Sequence, residues 1–268
     1  MKSFSWRKLV NHAVLPSGNY VGDVIDQHEK GWCGCCYIVC AIQMIEDRFR
    51  IQFSKLFYKS PRLKHIDMQT IMDYVEEAKE GWNMCHGGYP LNVLACMQDR
   101  TCPMVWSDES IFLGYARGGV TKCSAPSPYA ERVHISDPRR IPEYEVKKQL
   151  LEYGPVILEV NGDILKKYNA RGVVSNLSPE EPNHAVTVIG WEEDNWIVRN
   201  SWGVNQVPKE IPYDLNCVGR GKNDCSVQWS NWTGKGDDPG HILLPQRFKP
   251  LHANSPSPWI VANVVVVT

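Results

Sequence analysis

A buried helix that starts at a cysteine constrains this 268-residue chain more than any other feature. Glycines at positions 31 and 34 loosen the chain directly before Cys36. At an N-terminus, unpaired backbone N–H groups and the helix dipole favour a thiolate. We therefore interpret Cys36 as a nucleophile whose own N–H can bind an oxyanion. After it, apolar residues recur at spacings of three and four, the periodicity of a buried helix: Ile38, Val39, Ala41, Ile42, Met44, Ile45 and Phe49.

Two strand patterns further along the chain carry a base and a residue that can orient it. His184 opens a run rich in β-branched residues, and Asn200 follows a second such run, residues 196–199. Neighbouring strands can hold the two side chains together, with the Asn200 amide oxygen accepting a hydrogen bond from the imidazole. A thiol near its ordinary pKa of about 8.5 is mostly protonated at neutral pH, so Cys36 needs such an imidazole. The three residues predict a thiol peptidase.

The chain also resembles the papain-like cysteine peptidases in five segments that occur in the same order. This resemblance implies an α+β fold with two lobes, one helical and one an antiparallel β-barrel-like lobe, and an active site in the cleft between them. It further implies hydrolysis of peptide bonds through a thioester, with Gln27 in the oxyanion hole. The segments are Gln27, Cys33–Tyr37, Cys85–Pro90, Tyr153–Val156 and the stretch from Asn183 to Gly203.

The same resemblance implies roles for residues outside the catalytic set. A glycine backbone would pair with the substrate strand, and Trp202 would shield the His184–Asn200 hydrogen bond from water. A disulfide between Cys33 and Cys85 would tie the nucleophile loop to the glycine segment. The implied substrate-binding residues are Gly87, Gly88, Tyr89 and Trp202.

A short insertion makes the resemblance more specific, because it occurs in one group within the family. Nine positions separate Gln27 from Cys36, more than in most family members, and His28, Glu29 and Lys30 account for the difference. A histidine-containing insertion at this place is similar to that of the cathepsin X group, where the histidine binds the C-terminal carboxylate of the substrate. His28 is therefore expected to make the chain a carboxypeptidase. The alternative is a merely solvated loop histidine.

Composition excludes some function classes. A net charge of −1 argues against nucleic-acid binding through bulk electrostatics, and no run of apolar residues is long enough to predict a membrane span. The expected partner is a peptide or protein substrate, and the chemistry needs no cofactor. A structural metal site is the alternative interpretation of the cysteines, although their spacing fits no common zinc pattern. Its ligands would be Cys33, Cys35, Cys36 and Cys40, with His28.

The ten cysteines also bear on the cellular compartment. If they form disulfides, a lysosomal or extracellular compartment is expected. Residues 1–17 lack the apolar stretch of a signal peptide, which predicts either a trimmed mature chain or a chain that is not secreted by that route.

Three parts are expected along the chain. Residues 1–26 should cross to the sheet lobe, residues 27–125 should form the helical lobe, and residues 126–268 the β-rich lobe. Within the last part, residues 204–235 are an insertion that could face the cleft or a protein partner. The apolar tail from Trp259 onward needs burial in the fold or in another subunit.

Two further hypotheses remain open at this point. The usual Gly-Trp-Gly sequence is missing after Gly203. The chain could therefore be a papain-like fold that has lost catalysis and serves as a structural or interaction subunit. A transferase that uses an amine in place of water would employ the same three residues.

Overall fold

The computed structural model describes residues 1–29, 33–58, 65–78, 84–99, 106–107, 134–165, 174, 181–203, 240–247 and 256–265. Within them the chain has a mixed α+β architecture that is built from short helices and one large sheet. The elements are β1 (Ser3–Ser5), α1 (Cys36–Phe57), β2 (His65–Ile66), α2 (Met68–Ala78), a 3₁₀ turn (Met84–His86), α3 (Pro90–Gln98), β3 (Trp106–Ser107), β4 (His134–Ile141), α4 (Glu143–Glu152), β5 (Val156–Val160), α5 (Gly162–Leu165), β6 (His184–Glu192), β7 (Asn195–Arg199), β8 (His241–Pro245) and β9 (Trp259–Val265).

The central helix, α1, begins at Cys36 as its apolar pattern predicts. Cys35 is the N-cap, and the N–H of Val39 donates to its carbonyl at 3.0 Å. The helix ends where Tyr58 adopts a left-handed conformation (φ 53°) and its N–H bonds to the Ser54 carbonyl. Because α1 lies between other helices and the sheet, it is buried on nearly every side.

The sheet confirms the fold class but not its closure. It contains seven strands in the order β4-β9-β5-β6-β7-β8, with β1 pairing to β6, and the pairs are antiparallel. Within the described residues, β4 and β8 do not pair with each other, so the sheet is open there and the expected barrel-like closure is not found. Pro138 and the left-handed Asp137 (φ 55°) interrupt β4, which suits an edge strand.

Both chain ends that the structure describes lie in this sheet. Strand β9 pairs with β4 on one side and β5 on the other, and its first four residues, 259–262, are buried in the fold, whereas Val265 is exposed. The first half of the described tail is thus buried within the chain. At the other end, β1 pairs with β6, and the buried Trp6 donates its indole N–H to the Leu150 carbonyl at 2.7 Å.

Two apolar cores lie on opposite faces of the sheet. One contains Trp6 together with residues of β5, β6 and β7, and the other lies between the sheet and α1. Helix α1, with Cys36 at its start, therefore packs directly against the sheet that carries His184. The division of the chain at residues 26 and 125 remains a prediction, since residues 108–133 and the insertion at 204–235 lie outside the described part. None of the helices described is long and apolar enough to cross a membrane.

Candidate active site

Cys36 lies at the first position of α1 and retains 8% of its exposure. Burial raises the pKa of its thiol to about 11, while the backbone N–H groups of Ala185, Tyr37 and Cys36 itself act in the opposite direction. Two of these donors belong to the first turn of the helix and the third to β6. The thiol is therefore held by groups that favour a thiolate, but it keeps its proton unless a nearby base accepts it.

His184 and Asn200 are joined by a short hydrogen bond. The Nε2 atom of His184 lies 2.7 Å from Oδ1 of Asn200, which also accepts the N–H of Ser201. The strand register explains this contact: Thr187 pairs with Arg199, so Asn200 stands diagonally from His184 on the adjacent strand, within reach of long side chains. The predicted pair is thus brought together by two neighbouring strands.

Trp202 covers this pair. Its ring stacks on the His184 ring with centroids 4.7 Å apart and an interplanar angle of 28°. Both Trp202 and Asn200 are almost fully buried, whereas His184 retains 8% of its exposure. The indole therefore excludes water from one side of the imidazole, which strengthens the hydrogen bond to Asn200.

Hydrogen bonds to Ser201 and to Cys33 fix Gln27 between the segment after β7 and the nucleophile loop. Its backbone N–H donates to the Ser201 carbonyl at 2.9 Å, and its side-chain oxygen accepts the Ser201 hydroxyl. Its amide nitrogen donates to the Cys33 carbonyl at 2.8 Å. An amide nitrogen carries two hydrogens, so one of them serves the Cys33 carbonyl and a second N–H remains for another acceptor.

The disulfide implied by the resemblance is present. Cys33 and Cys85 are bonded, and the N–H of Gly34 donates to the Cys85 carbonyl at 2.7 Å. This bond takes Cys33 out of the alternative metal cluster. It also joins the nucleophile loop to the segment that precedes Gly87.

The glycine segment adjoins the nucleophile helix. A Cβ added at Gly88 would lie 2.4 Å from the ring of Tyr37, so only glycine fits at this position. Gly87 has a φ of 93°, a conformation that side-chain-bearing residues rarely adopt. The Tyr37 hydroxyl donates to the Met84 carbonyl at 3.0 Å, which fixes the ring against this backbone. Tyr89 follows with 64% exposure.

His28 is not a solvated loop residue. It is 8% exposed, and its Nδ1 accepts the N–H of Cys33 at 3.4 Å, while its own N–H donates to the Asp26 carboxylate. The solvated alternative is therefore wrong, because the ring is buried and bonded to the backbone of Cys33. Lys30 lies outside the described residues.

Sequence reasoning missed a buried charged cluster behind the site. Asp47 of α1 forms an ion pair with Arg199 of β7 at 2.6 Å, and both are almost fully buried. Arg48, the next residue of α1, is also buried and donates to carbonyls of the sheet. The available signal was a run of charged residues in a helix whose pattern otherwise predicts burial on all sides: Glu46, Asp47, Arg48 and Arg50.

Comparison with known proteins agrees with the geometry. A family model described as papain family cysteine protease matches residues 2–228. The chain is 28% identical over 192 residues to the viral cathepsin of Heliothis zea nuclear polyhedrosis virus, an alignment that covers 65% of this chain and 45% of that protein. It is 26% identical over 179 residues to human cathepsin O, covering 64% of this chain and 51% of that protein. The chain thus spans about half the length of these curated relatives.

A solved structure shows the same fold. The bromelain protease from Ananas comosus, in complex with the E64 inhibitor, has a TM-score of 0.60 at 18% identity, over 98% of this chain and 99% of that chain. Since identity is this low, the likeness concerns the fold alone. The family model, in contrast, covers most of the sequence, including all the candidate site residues. The chain belongs to the papain family of cysteine proteases.

Proposed function

We propose that this chain is a cysteine peptidase that hydrolyses peptide bonds through a thioester on Cys36. The observation that carries the proposal is the 2.7 Å contact between His184 and Asn200. The Trp202 ring stacks on the His184 ring. The residue after His184, Ala185, directs its backbone N–H at the Cys36 sulfur. A nucleophile, a base and an orienter thus come from α1, β6 and the end of β7.

The proposed reaction has two steps. His184 accepts the thiol proton of Cys36, and the thiolate attacks the carbonyl carbon of the scissile bond. The C–N bond then breaks, the imidazolium gives its proton to the leaving amine, and the acyl group remains on sulfur. Water, deprotonated by His184, attacks this thioester and releases the acid, and the thiol is restored.

The buried position of Cys36 makes His184 indispensable to this reaction. Because burial raises the pKa of the thiol to about 11, an isolated thiolate would be unfavourable. An imidazolium at His184 supplies the opposite charge, and the helix N-terminus supplies hydrogen bonds. With Nε2 engaged by Asn200, the proposal assigns the proton exchange with Cys36 to Nδ1.

Two donors would stabilise the oxyanion. One is the N–H of Cys36, which stands at the first position of α1. The other is the side-chain amide of Gln27, which Cys33 and Ser201 hold in place through its Nε2 and Oε1 atoms. Donors fixed in advance need no reorganisation when charge develops, which is why such groups lower the barrier.

The substrate backbone would lie along Gly87 and Gly88. The absence of side chains there permits close approach of an extended peptide, and the exposed Tyr89 offers a contact surface beside it. The substrate class is therefore a peptide or an extended segment of a protein. Any partner that binds through residues 204–235 would contact a segment outside the described residues.

A narrower proposal concerns the end of the substrate. His28 belongs to the same turn as Gln27 and is held next to Cys33, close to the nucleophile loop. Protonation of His28 would replace the bond that Nδ1 accepts from the Cys33 N–H, and the imidazolium would then attract a free carboxylate and favour removal of single C-terminal residues. Glu29, the next residue, would oppose a carboxylate through its own charge or hold His28 protonated through a pair.

Labelling with E-64, which is bound in the bromelain structure, tests the principal proposal. We expect one equivalent on Cys36 by peptide mapping, and loss of both label and peptide cleavage in Cys36→Ser. Cys40→Ser is the matched control, since Cys40 is a buried thiol on the same helix and should not be required. Label on Cys35 would contradict the assignment of the nucleophile. A folded wild type that is neither labelled nor active would instead support the structural-subunit hypothesis.

A separate pair of peptide substrates tests the carboxypeptidase proposal. Matched peptides with a free or an amidated C-terminus should be cleaved at clearly different rates, with the free acid preferred. His28→Ala should reduce this preference while leaving E-64 labelling of Cys36 intact. Equal cleavage of both peptides, or cuts only at internal bonds, would identify an endopeptidase.

A further inference from the structure

Helix α1 meets strands β6 and β7 through a line of polar contacts. Asp47 follows Cys36 by 11 residues, about three helical turns, so both lie on nearly the same face of α1. At the first contact, Cys36 faces the N–H of Ala185, as described above. Next, the Thr187 hydroxyl donates to the side-chain oxygen of Gln43 at 3.4 Å. At the third contact, Arg199 donates to Oδ2 of Asp47 at 2.6 Å.

The Asp47 carboxylate is engaged on both oxygens. Its Oδ1 accepts the N–H of Gly22 at 2.8 Å and a guanidinium N–H of Arg50 at 3.2 Å. Arg199 in turn donates to the Gly22 carbonyl at 2.8 Å, so the two charged residues close a ring around the Gly22 backbone. Asp47 is 1% exposed and Arg199 is not exposed. Such a pair tolerates little displacement, because sliding would leave buried charges without partners.

These contacts connect the three segments that carry the proposed catalytic groups. Asp47 shares α1 with Cys36, and Arg199 directly precedes Asn200. Gly22 lies five residues before Gln27, whose N–H bonds to the Ser201 carbonyl. A single carboxylate thus ties together the supports of the nucleophile, the orienter and the oxyanion-hole glutamine.

We infer that Asp47, through its ion pair with Arg199, is a positioning residue that sets the alignment of α1 and β7, and so aims His184 at Cys36. The inference rests on the proposed peptidase function. Misplacement of a reacting group by about 1 Å costs on the order of 100-fold in rate. Asp47 touches none of the reacting atoms in this scheme, so its loss should lower turnover without weakening substrate binding.

Asp47→Asn is the principal variant. It keeps the size of the side chain but leaves Arg199 without its counter-charge. We expect kcat, normalised to E-64-labelled sites, to fall by about 10- to 100-fold, with KM changed less than about twofold. The ring ¹⁵N signals of His184, assigned with a His184→Gln sample, should also shift, because the ring orientation depends on Asn200.

Arg48→Lys is the matched control. Arg48 is the neighbouring buried residue of α1, but it donates to Pro155, directly before β5, and to Ala262 of β9, and β6 separates these strands from β7. This variant should lose stability while keeping the wild-type turnover per labelled site and the His184 signals. A merely structural role for Asp47 would make Asp47→Asn behave in the same way, which would overturn the inference.

Two further outcomes, a misfolded Asp47→Asn variant and an inactive wild type, can be distinguished from failure of the inference. If Asp47→Asn fails to fold, Arg199→Lys replaces it, because lysine keeps the charge but not the two separate donors to Asp47 and Gly22. An unchanged turnover in Arg199→Lys would contradict the inference, and a reduced turnover with unchanged KM would support it. If the wild type is neither labelled nor active, the proposed function is wrong. The His184 signals still decide whether Asp47 positions the ring.

Discussion

The two ends of the contact between α1 and the sheet are built differently. At the start of the helix, Cys36 and His184 keep some exposure, and the contacts described for the imidazole are its bond to Asn200 and its stacking on Trp202. Three turns later, Asp47 and Arg199 are enclosed and hydrogen-bonded on several sides. The reactive end thus keeps a small accessible part, whereas the enclosed end holds the helix on the sheet. Variants at the reactive end should change the chemistry directly, and variants at the enclosed end should act on it only through the position of α1.

His184→Ala acts on the reactive end and should have the largest effect. Without the imidazole, no neighbouring base accepts the buried thiol proton, so kcat/KM should fall by about 10⁴-fold or more. The thermal midpoint should change little, because the site is stabilised by the surrounding strands. Peptide hydrolysis and a thermal scan measure the two quantities, with the exposed His134→Ala on β4 as control. Hydrolysis within tenfold of the wild type would remove His184 from the mechanism.

Asn200→Ala should have a smaller effect on the same end. The ring of His184 loses its acceptor but keeps its stacking on Trp202, so we expect kcat to fall by about 10²-fold with KM nearly unchanged. Asn200→Asp is the matched control. Within the described residues Nδ2 of Asn200 has no hydrogen-bond partner, so aspartate keeps the acceptor without breaking a bond. Equal losses of kcat in the two variants would show that the hydrogen bond to Oδ1 of Asn200 does not set the rate.

The reactive end could be predicted from the sequence and the enclosed end could not. A cysteine before an apolar helix, and a histidine and an asparagine on successive strand patterns, are local signals that specify chemistry. The Asp47–Arg199 pair joins positions 152 residues apart. The run of charged residues around Asp47 indicates a buried polar cluster, but it does not identify the partner. Long-range ion pairs depend on how elements pack, so they become visible only in the fold.

The strands show the same limit of prediction from the sequence. Strands β6 and β7 agree with the two runs that the sequence predicts, because both are apolar and rich in β-branched residues. Strand β4 was not predicted, since its sequence includes Asp137, Pro138 and Arg139. Strand β9 was recognised as apolar, but its place between β4 and β5 depends on pairing across more than a hundred residues. Its position is therefore a property of topology rather than of local pattern.

Arg48→Lys acts on a different contact of α1, with Pro155 and with Ala262 of β9, and should change stability rather than activity. The guanidinium donates to the carbonyls of Pro155 at 2.8 Å and Ala262 at 2.9 Å and to Gln149 at 3.3 Å. Lysine can satisfy only part of this set, so the free energy of unfolding should fall by about 1–3 kcal/mol. Urea unfolding and E-64-normalised turnover measure the two properties. A parallel loss of turnover would show that the Arg48 contact also positions the catalytic groups.

The smallest effect is expected around Glu46, the other acidic residue of α1, which is slightly more exposed than Asp47. Glu46 accepts the N–H of Ile66 at 2.7 Å, and its other oxygen lies 3.6 Å from Nδ1 of His65. The hydrogen bond that His65 donates to the Glu46 carboxylate raises the pKa of His65, burial lowers it, and the charge of Glu46 raises it again. Arg50 lowers the pKa and Asp23 raises it, so the net direction is upward.

A raised pKa in the folded state makes the contribution of His65 to stability depend on pH in one direction. It is complete below the unfolded pKa of about 6.5 and is lost as pH rises through the higher folded value. His65→Gln should therefore destabilise the protein at pH 5 more than at pH 8. Because the ring is 34% exposed, the difference should stay below about 1 kcal/mol. Urea unfolding at both pH values measures it, with the exposed His134→Gln as control. A larger loss at pH 8 would contradict the sign. It would mean that the link between α1 and β2, which pairs with β3, does not depend on a protonated His65.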